Sequence, residues 1–219
     1  MTGETNDSIP SRVLALAAAA LLAGCGTLYT EPQGAKDVDT ESVVVVGRIE
    51  LVPPLKANEQ DLKMGTFDPM DAKGAFTGRA VLYLSDDSRA AGEKTMEAMN
   101  PLLEKTFFVK IPKDRRYMVY GSVLMYNRVR VVNQRQAVVD SNELLLPAPV
   151  QFDIKPGDRA IYVGTWRLYR DEFNEVNKAQ IIDQYATASA EFRKKFGNKL
   201  SLRKALPGGG AASPSARKK

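Results

Sequence analysis

The chain has 219 residues, of which 44% are hydrophobic and 26% charged, and a formal net charge of +5. That composition suits one globular domain of ordinary size with a real core, and it excludes both a disordered chain and a dedicated nucleic-acid binder, whose basic excess would be larger. The chain has no histidine and a single cysteine, Cys25, which rules out Ser-His-Asp and Cys-His catalysis, the commonest metal ligand and any disulfide within the chain.

Residues 13–23 are apolar and uncharged, and Arg12 stands just before them. The run is too short for a membrane-spanning helix, which takes about 20 residues, and it has the length of a signal-peptide hydrophobic region. It leads into Leu22-Ala23-Gly24-Cys25. A buried Ala- and Leu-rich helix with an inert cysteine is the competing reading, but Gly24 and Gly26 flank the cysteine and would break such a helix. The tetrad resembles the lipobox of bacterial lipoproteins. That resemblance implies that residues 1–24 are a signal peptide and that Leu22, Ala23 and Gly24 are read by a signal peptidase. It implies further that the thiol of Cys25 carries lipid. Several acyl chains exceed what stable anchoring needs. The implied location is the bacterial cell envelope. Gly26, where lipoproteins of the inner membrane commonly have Asp, implies the outer membrane with the domain facing the periplasm.

Residues 25–41 read as a lipidated cysteine and a polar tether. The first strand is expected at Ser42–Val52, with Val43, Val45, Gly47, Ile49 and Leu51 on one face and Arg48 and Glu50 on the other. Pro53-Pro54 ends it, and residues 55–76 form a long irregular stretch. A second strand, residues 77–85, alternates Arg79, Val81 and Tyr83 against Ala80, Leu82 and Leu84. Asp86-Asp87-Ser88 marks a turn, and residues 89–99 are expected to form a short helix that Pro101 interrupts. Residues 105–111 are strand-like. Residues 115–126 give the clearest strand, with Tyr117, Val119, Gly121, Val123 and Met125 on one side. Shorter strands are expected at 129–132, 136–139 and 144–146.

Val150, Phe152 and Ile154 alternate with polar residues, Pro156-Gly157-Asp158 turns the chain, and residues 159–169 return as the second strand of a hairpin. Tyr162, Gly164, Trp166 and Leu168 are expected on one face, with Arg167 and Arg159 outward. A last strand is expected near 176–182. Asp183 is a plausible N-cap for a helix over residues 184–196, whose Tyr185, Ala188, Phe192 and Phe196 share one apolar face. Arg193, Lys194 and Lys195 suit its last turn and Gly197 its end. Residues 207–219, with Gly208-Gly209-Gly210, read as a disordered tail.

The expected fold of residues 42–206 is mainly β: an antiparallel β-sandwich with a C-terminal amphipathic helix. The sandwich is expected to be transthyretin- or immunoglobulin-like, and the Pro-Gly-Asp hairpin is similar to hairpins in small sandwich domains of envelope lipoproteins, including transthyretin-like ones, a likeness that implies no activity.

No catalytic constellation emerges. Ser-x-x-Lys occurs at Ser201/Lys204 and Ser215/Lys218 without the companion motifs that would make it specific. Asp68 and Asp71 offer oxygens to a hard cation, against the reading of an ordinary polar loop, and no metal site is assigned. No phosphate loop or other cofactor site is expected, because Gly208-Gly209-Gly210 lacks a strand–loop–helix setting. Trp166 with Tyr117, Tyr120, Tyr126, Tyr162 and Tyr169 reads as core before it reads as a groove. Arg115-Arg116, Arg128/Arg130 and Arg167/Arg170 would line a basic stripe or simply solvated strand faces. The expected function is a non-catalytic binding or structural role at the membrane, reached through the lipid on Cys25 and with an envelope protein as a possible partner. A small-ligand carrier and a carboxylate- or metal-dependent enzyme are the alternatives. No nucleic acid is expected as a partner.

Overall fold

In the computed structural model, which describes residues 26–56, 78–132 and 136–207 (backbone alone for 126–142), the chain forms two β-sheets around a common core. The expected signal peptide with Cys25, the Asp68/Asp71 loop and the Gly-rich tail lie outside the described residues.

The first sheet has the order β1 (Thr27–Tyr29), β4 (Glu97–Met99), β3 (Ala80–Ser85), β6 (Tyr117–Val132), β7 (Gln136–Leu145), and β8 (Val150–Gln151) pairs with the start of β6. The second has the order β10 (Val176–Ile182), β9 (Ala160–Arg170), β2 (Ser42–Val52), β5 (Thr106–Pro112), and β11 (Leu202–Lys204) pairs with the start of β9. Both sheets are mixed, which corrects the antiparallel expectation: β1 runs parallel to β4, and β9 runs parallel to both β2 and β11.

The apolar pattern explains the layering. In β2, Val43, Val45, Ile49 and Leu51 enter the core shared by the two sheets, where they meet Leu82, Leu84, Met99 and Met118 of the first sheet. Val44 and Val46 point the other way and are equally buried. An unbroken Val run is what a strand covered on both faces requires. The cover is α1 (Tyr185–Phe196), whose Ala188, Phe192 and Phe196 close a second core with Phe108 and Tyr162. The helix ends as its sequence suggests, with Gly197 at φ +63° donating its N–H to the Arg193 carbonyl at 2.8 Å. The N-cap is Gln184, without a side-chain capping bond, rather than Asp183, which lies one residue earlier and accepts the Tyr185 N–H at 3.1 Å. The chain does not stop at this helix, since β11 follows it.

Two β-bulges shift the alternation that the sequence suggests. On β6, Tyr83 faces Tyr120 while Leu84 faces Met118, so Val119 is the extra residue. Met118 therefore faces the core on one side of the bulge, and Val123 and Met125 face it on the other. On β9, Val46 faces Tyr162 while Arg48 faces Thr165, so Val163 and Gly164 together oppose Gly47. Ile161 and Val163 enter the intersheet core before the bulge, and Trp166 and Leu168 enter it after. Tyr162 consequently lies under α1 rather than on the Trp166 face.

Three further expectations are corrected. Residues 89–99 are not a helix: a single 3-10 turn, Ser88–Ala90, capped by Asp87, is followed by β4. The Pro156-Gly157-Asp158 turn does not close a hairpin, because β8 pairs with β6 in the first sheet while β9 sits between β10 and β2 in the second. The segment is a crossover that buries Phe152 and Ile154 on its way. Finally, residues 26–41 are not a loose tether. Thr27–Tyr29 is a strand, Ala35–Asp37 is a 3-10 turn, and Val38 is buried beneath α1.

Candidate functional site

The structure draws attention to the N-terminal strand. β1 has only three residues, too few to hold by ladder bonds alone, and side chains secure it. The Tyr29 hydroxyl donates to Glu97 Oε2 at 2.6 Å, and Arg115 grips the same carboxylate through Nε and, at 2.9 Å, through its second nitrogen. The Arg115 hydrogen bond holds the Glu97 carboxyl below its usual range, and the pairing raises the Arg115 guanidinium in turn. Burial, with the Glu97 hydrogen bond and charge added, pushes the Tyr29 hydroxyl up to about 12. Upstream, the Thr27 N–H donates to the Met96 carbonyl at 2.7 Å. A Cβ on Gly26 would lie 2.4 Å from that same oxygen, so only glycine fits there.

Two surfaces open beside this strand. One is a solvent-open groove of about 570 Å³ between β1 and β5, lined by Leu28, Tyr29, Leu102, Phe107 and Phe108 with Arg79, Asn100 and Lys105 at its polar rim. β1 and β5 are the outermost strands of their sheets on this side among the described residues. The Lys110 N–H donates to the Thr30 carbonyl at 3.2 Å and joins them at one end. Strand edges beside an apolar trough are the geometry that accepts an extended peptide.

The other is the outer face of the first sheet. The side chains that alternate with the core residues stand there: Val81 and Tyr83 on β3, Tyr120 and Leu124 on β6, Glu143 and Leu145 on β7, and Leu28 on β1. Tyr83 and Tyr120 pack edge to face at 5.7 Å between centroids, and Lys94 Nζ lies 5.2 Å above the Tyr120 ring while pairing with Glu143 at 2.7 Å. Burial alone would raise the Glu143 carboxyl, but Lys94, Tyr120 and Ser122 together hold it below its usual range. Charge on this face is thus neutralised locally, while Met96, Leu28 and Leu145 remain 62%, 52% and 47% exposed. The second sheet's outer face is covered by α1, whereas the first sheet's carries no α-helix among the described residues, only the 3-10 turn Ser88–Ala90 beside β6.

The residues singled out from sequence separate. Trp166 and Tyr162 are core residues, in different layers. Tyr120 is on the outer face, Tyr169 bonds Gln180 at 3.1 Å on the second sheet, and the side chain of Tyr126 is outside the described ones. Among the described side chains the arginines of the expected basic stripe are mostly engaged elsewhere: Arg115 is committed to Glu97, Arg167 to Glu50, and Arg170 is buried against the Pro53 and Pro54 carbonyls and Asn174, while Arg116 is exposed. Arg128 and Arg130 are outside the described side chains. Of the Ser-x-x-Lys matches, Lys204 is paired with Asp183, and Ser215/Lys218 lies outside the described residues. Tyr29, Glu97, Leu28 and Met96 went unrecognised in the sequence, because a three-residue strand leaves no periodic signal, and Arg115 reads there as part of a basic stripe rather than as the partner of Glu97.

Several acids of this domain are paired with bases: Glu97 with Arg115, Glu143 with Lys94, Asp158 with Arg203, Asp183 with Lys204. Among the described residues no group of three or more acids or cysteines is placed to hold a metal ion. The arrangement offers surfaces for binding. Comparison of the chain with known protein families, curated proteins and solved structures gave no match.

Proposed function

We propose that this chain is the precursor of a lipoprotein of the bacterial cell envelope, anchored through lipid on Cys25 after removal of residues 1–24, with a non-catalytic binding or structural role. In this reading residues 42–206 are a β-sandwich of transthyretin- or immunoglobulin-like kind, modified by parallel strands and faced on one side by the helix that precedes β11. The location is the outer membrane, with the domain in the periplasm, on the strength of Gly26 after the cysteine.

The observation that carries the binding role is the asymmetry of the two outer faces: one sheet is sealed by α1, while the other leaves Leu28, Met96 and Leu145 in solvent beside an aromatic pair. Apolar side chains left exposed on a face that no α-helix covers support an interaction site there. The interior favours this over a carrier: the space between the sheets is filled by large side chains, and the groove at β1 opens at the edge.

The test is metabolic labelling with palmitate in the native type of host. Wild type is expected to take the label and stay with the membrane fraction, and Cys25→Ala is expected to lose both. A Cys25→Ala protein that is cleaved and anchored as before would sink the lipoprotein reading.

A further inference from the structure

We infer that the outer face of the first sheet lies on the lipid headgroups, so that the domain is held flat against its membrane. The inference rests on lipidation of Cys25 as proposed above and adds an orientation to it. Cys25 is bonded directly to Gly26, and the next residue, Thr27, is already paired with Met96. Successive Cα atoms are about 3.8 Å apart. The anchor therefore has one residue of slack, and Gly26 itself is fitted against the Met96 carbonyl. Whatever lies around β1 and Met96 is brought to the depth where the lipid begins.

What lies there suits that depth. Leu28 is an exposed apolar side chain three residues from the anchor, and Met96, also exposed, accepts the N–H of Thr27, two residues from it. The same face continues through Tyr83 and Tyr120 to Leu145. Apolar side chains with tyrosines among them are the composition that settles at a membrane–water interface, where the ring is buried and the hydroxyl stays wet. Lys94 is neutralised by Glu143, so apolar contact rather than attraction to acidic lipid holds the face down. α1 lies on the opposite side of both sheets and points away from the bilayer.

The test uses the full chain, lipidated in its host and reconstituted into phosphatidylcholine vesicles. Lipidation consumes the only native thiol, so Met96→Cys, Leu145→Cys and Glu191→Cys, the last on α1, each accept one environment-sensitive fluorophore. Labels at 96 and 145 are expected to emit to the blue of the label at 191, to be quenched by spin-labelled lipid, and to be several-fold less quenched by aqueous iodide. The result should be the same when acidic lipid is added to the vesicles. Equal iodide access at all three sites, in protein that carries palmitate, overturns the orientation and leaves the anchor standing. Shielding from iodide without lipid quenching also overturns it, because a second copy or another protein then covers the face. Absence of palmitate removes the anchor and this inference together. Melting curves matching wild type establish that each variant is folded.

Discussion

Arg203 clasps Asp158, its Nε at 2.8 Å from one carboxylate oxygen and a terminal nitrogen at 2.6 Å from the other. The pair ties β11, near the end of the described chain, to the crossover between the sheets. Asp158 is 9% exposed and also accepts the Lys155 N–H at 2.7 Å. Burial acts to raise its carboxyl, but Arg203 and Lys155 outweigh burial and hold it below the usual range. A depressed folded-state pKa gives stability that is present above the unfolded value of about 3.9 and is lost as pH falls through the folded value. Wild-type stability is therefore expected to drop below about pH 4, and Asp158→Asn should flatten that drop. Arg203→Ala at neutral pH is expected to cost about 2 kcal/mol, the scale of a charged hydrogen bond lost from a buried partner. Urea melts across pH check both; an unchanged acid limb in Asp158→Asn would show that other carboxylates govern it.

Trp166 is 6% exposed, donates its Nε1–H to the Val163 carbonyl at 3.0 Å, and stacks on Phe152 at 6.5 Å between centroids. Trp166→Ala is expected to cost about 3–5 kcal/mol, a large share of the roughly 5–15 kcal/mol that keeps an ordinary domain folded. Arg167→Ala, which removes a half-buried guanidinium 2.8 Å from Glu50 but leaves that carboxylate with Arg48 at 3.1 Å, should shift the unfolding midpoint far less. As the chain's one tryptophan, Trp166 should emit to the blue in the native state and move red on unfolding. Red emission from the folded protein would place the ring in water.

Gly164 sits at φ +95° in the β9 bulge, and a Cβ there would lie 2.5 Å from Ile181 Cγ2. Gly157, in the Pro-Gly-Asp turn, has nothing within 4 Å of an added Cβ and no left-handed φ. Gly164→Ala is expected to cost about 2 kcal/mol or more, from backbone strain and the clash on β10, whereas Gly157→Ala should be close to neutral. Thermal melts of the two variants side by side decide it, and equal effects would mean that the bulge relaxes without cost.

The Tyr29 hydroxyl, raised to about 12, should titrate late in an absorbance titration of the phenols. Its folded pKa lies above the unfolded value of about 10, so its contribution to holding β1 is present below pH 10 and is lost as pH rises toward 12. Tyr29→Phe should remove the late component and increase amide exchange at residues 27–29 at neutral pH. Unchanged exchange would show that the main-chain bonds of β1 suffice.

Local chemistry was legible in the sequence wherever one segment decides its own shape. Ser42–Val52 and Val176–Ile182 are strands at the expected bounds, and the helix from Tyr185 is closed by Gly197, since periodicity and glycine at a helix end act over a few residues. The proposed lipobox, Leu22-Ala23-Gly24-Cys25, rests on adjacent residues in the same way and needs no fold to be read. Tertiary structure alone decided which strand takes which neighbour. A Pro-Gly-Asp turn reverses the chain whether or not the strands beside it pair, and here the better partner for β9 was β2, more than a hundred residues earlier. The bulges at Val119 and Gly164 could not be read either, because one inserted residue inverts the faces of everything beyond it while leaving the alternation intact on each side. The same holds for β1: Thr27–Tyr29 is a strand because Met96, Glu97 and Arg115, distant in sequence, offer it an edge, a carboxylate and a cation.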